Sequence, residues 1–153
     1  MNAADEPRML PMSLFFSDLY VNTVAKGLLQ PGEQVLHRVS ASHAPWWSMG
    51  IPTFQNQYLV LATNQRILLV KHKKGFFTGD RMESVDTLPW QSVSQVQMSG
   101  FFAKKKLRVA GDGTAGKVDL ALKVSGGMFE IPKNVDDGKA IATRFSQMKA
   151  LPS

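Results

Sequence analysis

The stretch QYLVLATNQRILLVKHKK, residues 57–74, decides the fold class of this chain. Two runs rich in Leu and Val flank the polar segment Thr63–Arg66, in which Asn64 tolerates the left-handed backbone of a tight turn. The pattern predicts a β-hairpin with strands near Gln57–Thr63 and Arg66–His72. The hairpin predicts a scaffold and specifies no chemistry.

Alternating apolar and polar residues predict further short strands before and after this hairpin. A two-residue period begins at Val35, and Pro89 separates two later strands because proline cannot donate to a central ladder. The remaining runs lie at Ser84–Trp90, Ser92–Ser99, Lys106–Ala110, Lys117–Val124 and Met128–Ile131. We therefore expect seven or eight antiparallel strands.

Helical periodicity appears at both ends of the chain. Residues 1–11 are expected to be a disordered tail, and Met12–Leu29 has apolar residues at four-residue steps, which predicts a helical extension. Asn134 is a good N-cap for a final helix. The expected buried stripe of that helix consists of Ile141, Phe145 and Met148.

Composition places the chain among ordinary one-domain globular proteins. It has 153 residues, of which 44% are hydrophobic and 20% charged, and its formal net charge is +6. No apolar run approaches the roughly 20 residues that span a bilayer. Asp5 and Glu6 stand where a secretory signal would be basic, and there is no cysteine. We expect a cytoplasmic protein with an affinity for anionic partners.

Three motifs carry a resemblance to a known family. They are Leu-x-Pro-Gly-Glu-x-Val at Leu29–Val35, Leu-Ala-Thr-Asn-x-Arg-Ile-Leu-Leu-Val-Lys at Leu61–Lys71, and Leu-Pro-Trp-x-x-Val-x-x-Val at Leu88–Val96. With the closing amphipathic helix, they resemble the bacterial pleckstrin-homology-like (PH-like) domains, which are similar to GRAM domains.

The resemblance covers about residues 29–149 and implies a mainly β fold. The expected architecture is a β-sandwich or partly open barrel over residues 30–150, capped by a C-terminal helix and preceded by the extra N-terminal helix at 12–29. It implies binding of lipid headgroups or peptides, or self-association, and no enzymatic activity. The segment Arg38–Gln57 has no Lys or Arg between its ends, whereas phosphoinositide-binding relatives carry ligand contacts there. Specific inositide recognition is therefore not expected.

Other motifs have a structural alternative. Residues 111–116, GDGTAG, match G-x-G-x-x-G, but a strand follows instead of a helix, which favours a glycine-rich hairpin loop over a phosphate cradle. His37, His43 and His72 lack metal-ligand spacing. We expect no metal, cofactor or small-molecule substrate. A small enzyme whose site converges from distant residues stays an alternative.

The candidate binding residues form two clusters of cations beside aromatics. Phe inserted among lipid headgroups, with Lys over anionic lipid, would make a peripheral anchor at the inner face of the membrane. Solvated strand edges are the alternative, and a nucleic acid is a less favoured partner. The two clusters, defined here as the basic-aromatic clusters, are Lys71, Lys73, Lys74, Phe76 and Phe77, and Phe101, Phe102, Lys104, Lys105 and Lys106.

Two further aromatic features predict contacts between molecules. Trp46 and Trp47, in a loop flanked by proline and glycine, are candidate anchors for a protein partner or a bilayer interface, or else cap the barrel. The N-terminal helix has apolar residues beyond one narrow stripe, which predicts a homo-oligomer. The expected oligomer interface includes Phe15, Phe16, Leu19 and Tyr20.

Overall fold

The computed structural model describes residues 18–43, 56–75, 79–100, 105–124 and 134–150. For residues 18–20, 73–75, 79–81 and 134 it describes the backbone alone. The expected tail at 1–11 and the expected strand at Met128–Ile131 lie outside these ranges. Within them, no helix is long and apolar enough to cross a bilayer.

The described residues form two helices and seven strands, which confirms the expected fold class. Helix α1 spans Asp18–Leu28 and helix α2 spans Asn134–Ala150. Pro89 ends β4 and separates it from β5, as predicted, and one turn of 3-10 helix, Trp90–Ser92, connects the two strands. The strands are β1 Val35–His43, β2 Asn56–Thr63, β3 Arg66–Gly75, β4 Gly79–Pro89, β5 Val93–Ser99, β6 Lys105–Gly113 and β7 Gly116–Val124.

All seven strands belong to one antiparallel sheet with the order β4-β3-β2-β1-β7-β6-β5. Among the described residues, β1 pairs with β7 at Ala41 and Ser42. The sheet curls until the end of β4 approaches the β6–β7 turn, where the Thr114 N–H donates to the Thr87 carbonyl at 3.1 Å. The result is a partly open barrel.

The glycine-rich motif at 111–116 forms the β6–β7 turn and allows the backbone of β6 to approach Ser92 and Val93 closely. Gly113 and Gly116 pair across the β6–β7 turn, and Gly116 has a φ of +130°. A Cβ on Gly111 would lie 2.4 Å from the Ser92 carbonyl oxygen and 2.9 Å from the Val93 Cα. A side chain at 111 would therefore collide with backbone, which confirms the hairpin-loop interpretation.

The main core lies inside the curled sheet. Leu107 and Val109 of β6, and Leu122 and Val124 of β7, are fully buried, as their alternation predicted, and Trp90 is buried with them. Helix α2 contributes Ile141, which is also fully buried. Phe145 is only partly buried and Met148 is 36% exposed, so the prediction of a three-residue buried stripe is wrong at Met148.

A second core lies on the outer face of β2 and β3. Val21 and Ala25 of α1 are buried there against Leu59, Leu61 and Leu68. Strand β2 is consequently buried on both faces from Gln57 to Thr63. One face of α1 therefore packs on the sheet of its own chain.

Candidate functional site: the basic end of the sheet

Strand pairing brings the described members of both basic-aromatic clusters to one end of the sheet, Lys71, Lys73 and Lys74 on β3 and Lys105 and Lys106 on β6. Strands β1, β3, β5 and β7 end there, and β2, β4 and β6 begin there. One unbroken row of paired residues crosses all seven strands near this end. The row consists of Ser99, Lys106, Lys123, Ser42, Gln57, His72 and Met82. We call this region the basic end.

Two exposed lysines face each other in that row. Lys106 of β6 pairs directly with Lys123 of β7, and both side chains are exposed. Neither forms an ion pair with another described residue. Because like charges directly opposite on a sheet destabilise it, the pair keeps a concentrated positive charge at some cost to folding. An anion placed between them would remove that repulsion.

The neighbouring row places two more lysines near the same end, but their ammonium groups are engaged. Lys71 Nζ lies 3.3 Å from Glu83 Oε2, and Lys105 Nζ donates to the Gly100 carbonyl at 3.0 Å. Tyr58, which pairs with Lys71, is buried, and burial raises the pKa of its hydroxyl, with Asp86 and Glu83 adding to the effect. Lys71 and Lys105 therefore border the basic end, but their ammonium groups already contact partners within the chain.

Further from this end the positive charge is neutralised. Arg108 donates two hydrogen bonds to Asp119, from Nε at 3.0 Å and from Nη2 at 2.9 Å. The Arg108 guanidinium lowers the pKa of that carboxyl. Arg108 is thus neutralised within this pair of strands, whereas Lys106 and Lys123 have no ion-pair partner among the described residues.

Several expected binding residues lie outside what is described. Lys73 and Lys74 are described by backbone only, next to the row at the end of β3. Outside the described residues lie Phe76, Phe77, Phe101, Phe102, Lys104, Trp46 and Trp47. The expected oligomer residues are likewise untested, since Phe15 and Phe16 are not described and Leu19 and Tyr20 are described by backbone only.

The histidines fall into separate environments. His37 Nδ1 lies 3.1 Å from Asp137 Oδ1 and joins β1 to the first turn of α2. Both residues line a groove of about 320 Å³ between α1 and β1. His72 is buried on β3. Among the described residues, no three His, Asp or Glu side chains come together as a metal would require.

The three motifs that carry the family resemblance meet at the opposite end of the sheet and have a structural role. Glu33 is buried and accepts hydrogen bonds from Arg66, from the Thr63 hydroxyl at 2.7 Å and from the Gln30 N–H at 2.9 Å. Arg66 also donates to the Leu28 carbonyl at the end of α1, at 2.8 Å. These bonds tie the first motif to the second.

Asn64 and the third motif complete the same cluster. The Asn64 side chain accepts from the Gln34 N–H at 2.9 Å, and Trp90 Nε1 donates to the Thr63 carbonyl at 2.9 Å. The three motifs therefore join the segment after α1, the β2–β3 turn and Trp90 through hydrogen bonds. The profile of the family described as "Bacterial PH domain" matches residues 29–121, which contain them.

The chain belongs to the bacterial PH domain family. Among solved structures, this PH domain is similar to the hSac2 domain from human phosphoinositide phosphatase Sac2, with a TM-score of 0.59 and 13% sequence identity. The likeness covers 87% of this chain and 81% of that one, and at this identity it speaks for the fold alone. No curated protein matches the sequence.

The sequence analysis did not include Lys123 in the candidate site. A signal for its position was available in the glycine motif. A two-residue turn between Gly113 and Gly116 fixes the register of the whole hairpin, and that register sets Lys106 opposite Lys123.

Proposed function

We propose that this PH domain is a non-enzymatic binding module that contacts anionic phospholipid surfaces through the basic end of its sheet. Membership of the family supports a binding role. The observation that carries the proposal is the opposed, exposed pair Lys106 and Lys123, at the end where both basic-aromatic clusters enter the sheet.

Several lysines along one end of a sheet suit a charged leaflet better than a single small anion. Each Lys or Arg near an anionic surface contributes on the order of 1 kcal/mol. Lys106 and Lys123 would contribute directly, and Lys73, Lys74 and Lys104 are proposed to add to them from adjoining positions. The proposed aromatic contacts are Phe76, Phe77, Phe101, Phe102, Trp46 and Trp47.

Nucleic acid and catalysis are the competing functions. Both described helices pack on the sheet, α1 on β2 and β3 and α2 against β1 and β5, which is unlike a helix that is free to enter a groove of DNA. The groove beside α1 contains two titratable side chains, His37 and Asp137. They are 30% and 26% exposed, and they contact each other. Both observations favour surface binding.

The experiment is co-sedimentation of the full chain with vesicles of phosphatidylcholine alone and of phosphatidylcholine with phosphatidylserine. We expect binding to the anionic vesicles only, weakening as salt is raised. Changing Lys104, Lys105 and Lys106 together to Glu should abolish it. Equal binding to both vesicles, unchanged binding of the triple variant, or preferential binding of a short duplex DNA would overturn the proposal.

Self-association through the N-terminal helix remains a second prediction. Phe15, Phe16, Leu19 and Tyr20 are its expected interface, and the packing of Val21 and Ala25 on the sheet leaves one face of α1 committed within the chain. The solution mass of a Phe15→Ser/Phe16→Ser variant tests it. A mass equal to that of the wild type would reject this interface.

A further inference from the structure

We infer that a second copy of this chain pairs with the edge strand β5, through an antiparallel contact centred on Val96. Among the described strands, β5 is the last of the sheet and pairs with β6 alone. Residues 94–99 make no backbone hydrogen bond to another described residue outside that ladder. One side of the strand therefore presents a row of backbone donors and acceptors.

The edge carries none of the charges that usually protect an exposed strand. Residues 92–100 contain no Asp, Glu, Lys or Arg, in a chain whose formal net charge is +6. Strand β4 at the other edge differs, since it contains Asp80, Arg81, Glu83 and Asp86. Charge thus discourages pairing at β4 and leaves β5 available.

The order of residues in β5 fits a partner of the same sequence. An isologous contact about a two-fold axis at Val96 places Gln95 opposite the partner's Gln97, and its Gln97 opposite the partner's Gln95. Within one chain, Gln95 Nε2 already donates to Gln97 Oε1 at 3.1 Å, so the two amides share a face. The pairing would bring four amides together with no like charges opposed.

This pairing is compatible with the core. Val93 and Val96 are buried inside the barrel, and Met98 packs against Gly138 of α2, where a Cβ would lie 2.9 Å from the Met98 sulfur. Of the two side chains that meet the partner's, Gln97 is exposed and Gln95 is half-buried. A second copy can add to the edge without displacing core side chains. The inference does not rest on lipid binding.

The test uses charge to separate and rejoin the copies. All variants are made in the Phe15→Ser/Phe16→Ser chain, so that the interface proposed for the N-terminal helix does not contribute. Light scattering of that chain should show a mass rising with concentration towards twice 16.9 kDa. In the same background, Gln95→Lys/Gln97→Lys and Gln95→Glu/Gln97→Glu should each stay monomeric, and an equal mixture of the two should dimerise. Ser146→Lys/Gln147→Lys, at exposed positions on α2, is the charge-matched control and should behave as the parent chain.

A second measurement tests the register. The chain has no cysteine, so Gln95→Cys and Gln97→Cys each introduce the sole thiol of their chain. Mild oxidation should cross-link the mixture of these two variants faster than either alone, because directly opposite residues come within disulfide reach. A monomeric parent chain at hundreds of micromolar, a dimeric Lys variant, a mixture of charged variants that stays monomeric, or equal cross-linking rates would each overturn the inference.

Discussion

The Glu33 carboxylate and the Arg66 guanidinium form a two-point ion pair that is almost wholly removed from water. Arg66 Nε lies 2.8 Å from Oε1 and Nη2 lies 3.0 Å from Oε2, and the Glu33 side chain has no exposed surface. The pair joins the segment after α1 to the β2–β3 hairpin. It explains in physical terms why the glutamate of the first motif accompanies the arginine of the second.

Removing the charge of Glu33 is the first prediction. Glu33→Gln leaves Arg66 without its partner, and breaking a buried pair in this way costs about 3 to 5 kcal/mol of unfolding free energy. Denaturant titration measures the loss. Asp119→Asn, which breaks the exposed Arg108–Asp119 pair, is the matched control and should cost far less. Equal losses in the two variants would contradict the argument.

The same ion pair predicts a pH dependence. The Arg66 hydrogen bonds hold the pKa of Glu33 at about 2, below its usual 4.5. A depressed folded-state pKa means that the contribution of Glu33 is complete above about pH 4.5 and declines as the pH falls towards about 2. The stability difference between the wild type and Glu33→Gln should shrink across that window. A difference independent of pH would show that the charge is not responsible.

Gly111 carries the second prediction. Gly111→Ala forces a methyl group against the Ser92 carbonyl and the Val93 Cα, so backbone must move, and we expect a loss of about 3 kcal/mol or more. Gly27→Ala is the control, since nothing lies within 4 Å of its Cβ and it sits in α1. That change should be neutral or stabilise by up to about 1 kcal/mol. Thermal unfolding of both variants measures the contrast.

The third prediction concerns α1. Val21→Asp puts a carboxylate against Leu59 and Leu68, and should cost at least about 3 kcal/mol, whereas Asn22→Asp on the exposed side should change little. Deleting residues 1–28 should uncover the outer face of β2 and β3 and increase binding of a hydrophobic dye. A stable, dye-negative domain after deletion would show that the sheet does not need the helix.

Helix α2 supplies the fourth prediction. Ile141→Ala removes a fully buried side chain from the main core and should cost about 2 to 5 kcal/mol. Met148→Ala, at a position that is 36% exposed, should cost under about 1 kcal/mol. Chemical denaturation distinguishes the two. A larger loss at Met148 would restore the stripe that the sequence pattern predicted.

The sequence predicted those features that depend on local pattern. Two-residue alternation located β6 and β7, the Asn64 turn located the β2–β3 hairpin, and Pro89 located the break before β5. The sequence did not predict which surface α1 packs against. An amphipathic pattern shows that one face of a helix is buried but does not identify the surface that buries it. The burial of Phe145 and Met148 was overestimated for a related reason, since the core covers only the first half of the apolar stripe of α2.

The candidate site was predicted in composition and not in arrangement. The basic runs at 71–74 and 104–106 are visible in the sequence, whereas their placement at one end of the sheet follows from the strand order. Lys123 stands alone among uncharged neighbours, so charge clustering could not find it. Only the register of the β6–β7 hairpin brings it opposite Lys106.

The most direct measurement of the lipid-binding proposal compares two neutralised pairs of lysines. The full chain with Lys106→Gln/Lys123→Gln, and the charge-matched Lys26→Gln/Lys117→Gln, are titrated with vesicles containing phosphatidylserine. Lys26 and Lys117 are exposed and lie towards the opposite end of the sheet. We predict a loss on the order of 2 kcal/mol, about thirtyfold in affinity, for the first pair, and a much smaller loss for the second. Equal losses in the two variants would contradict the proposal, because net charge alone would then account for binding.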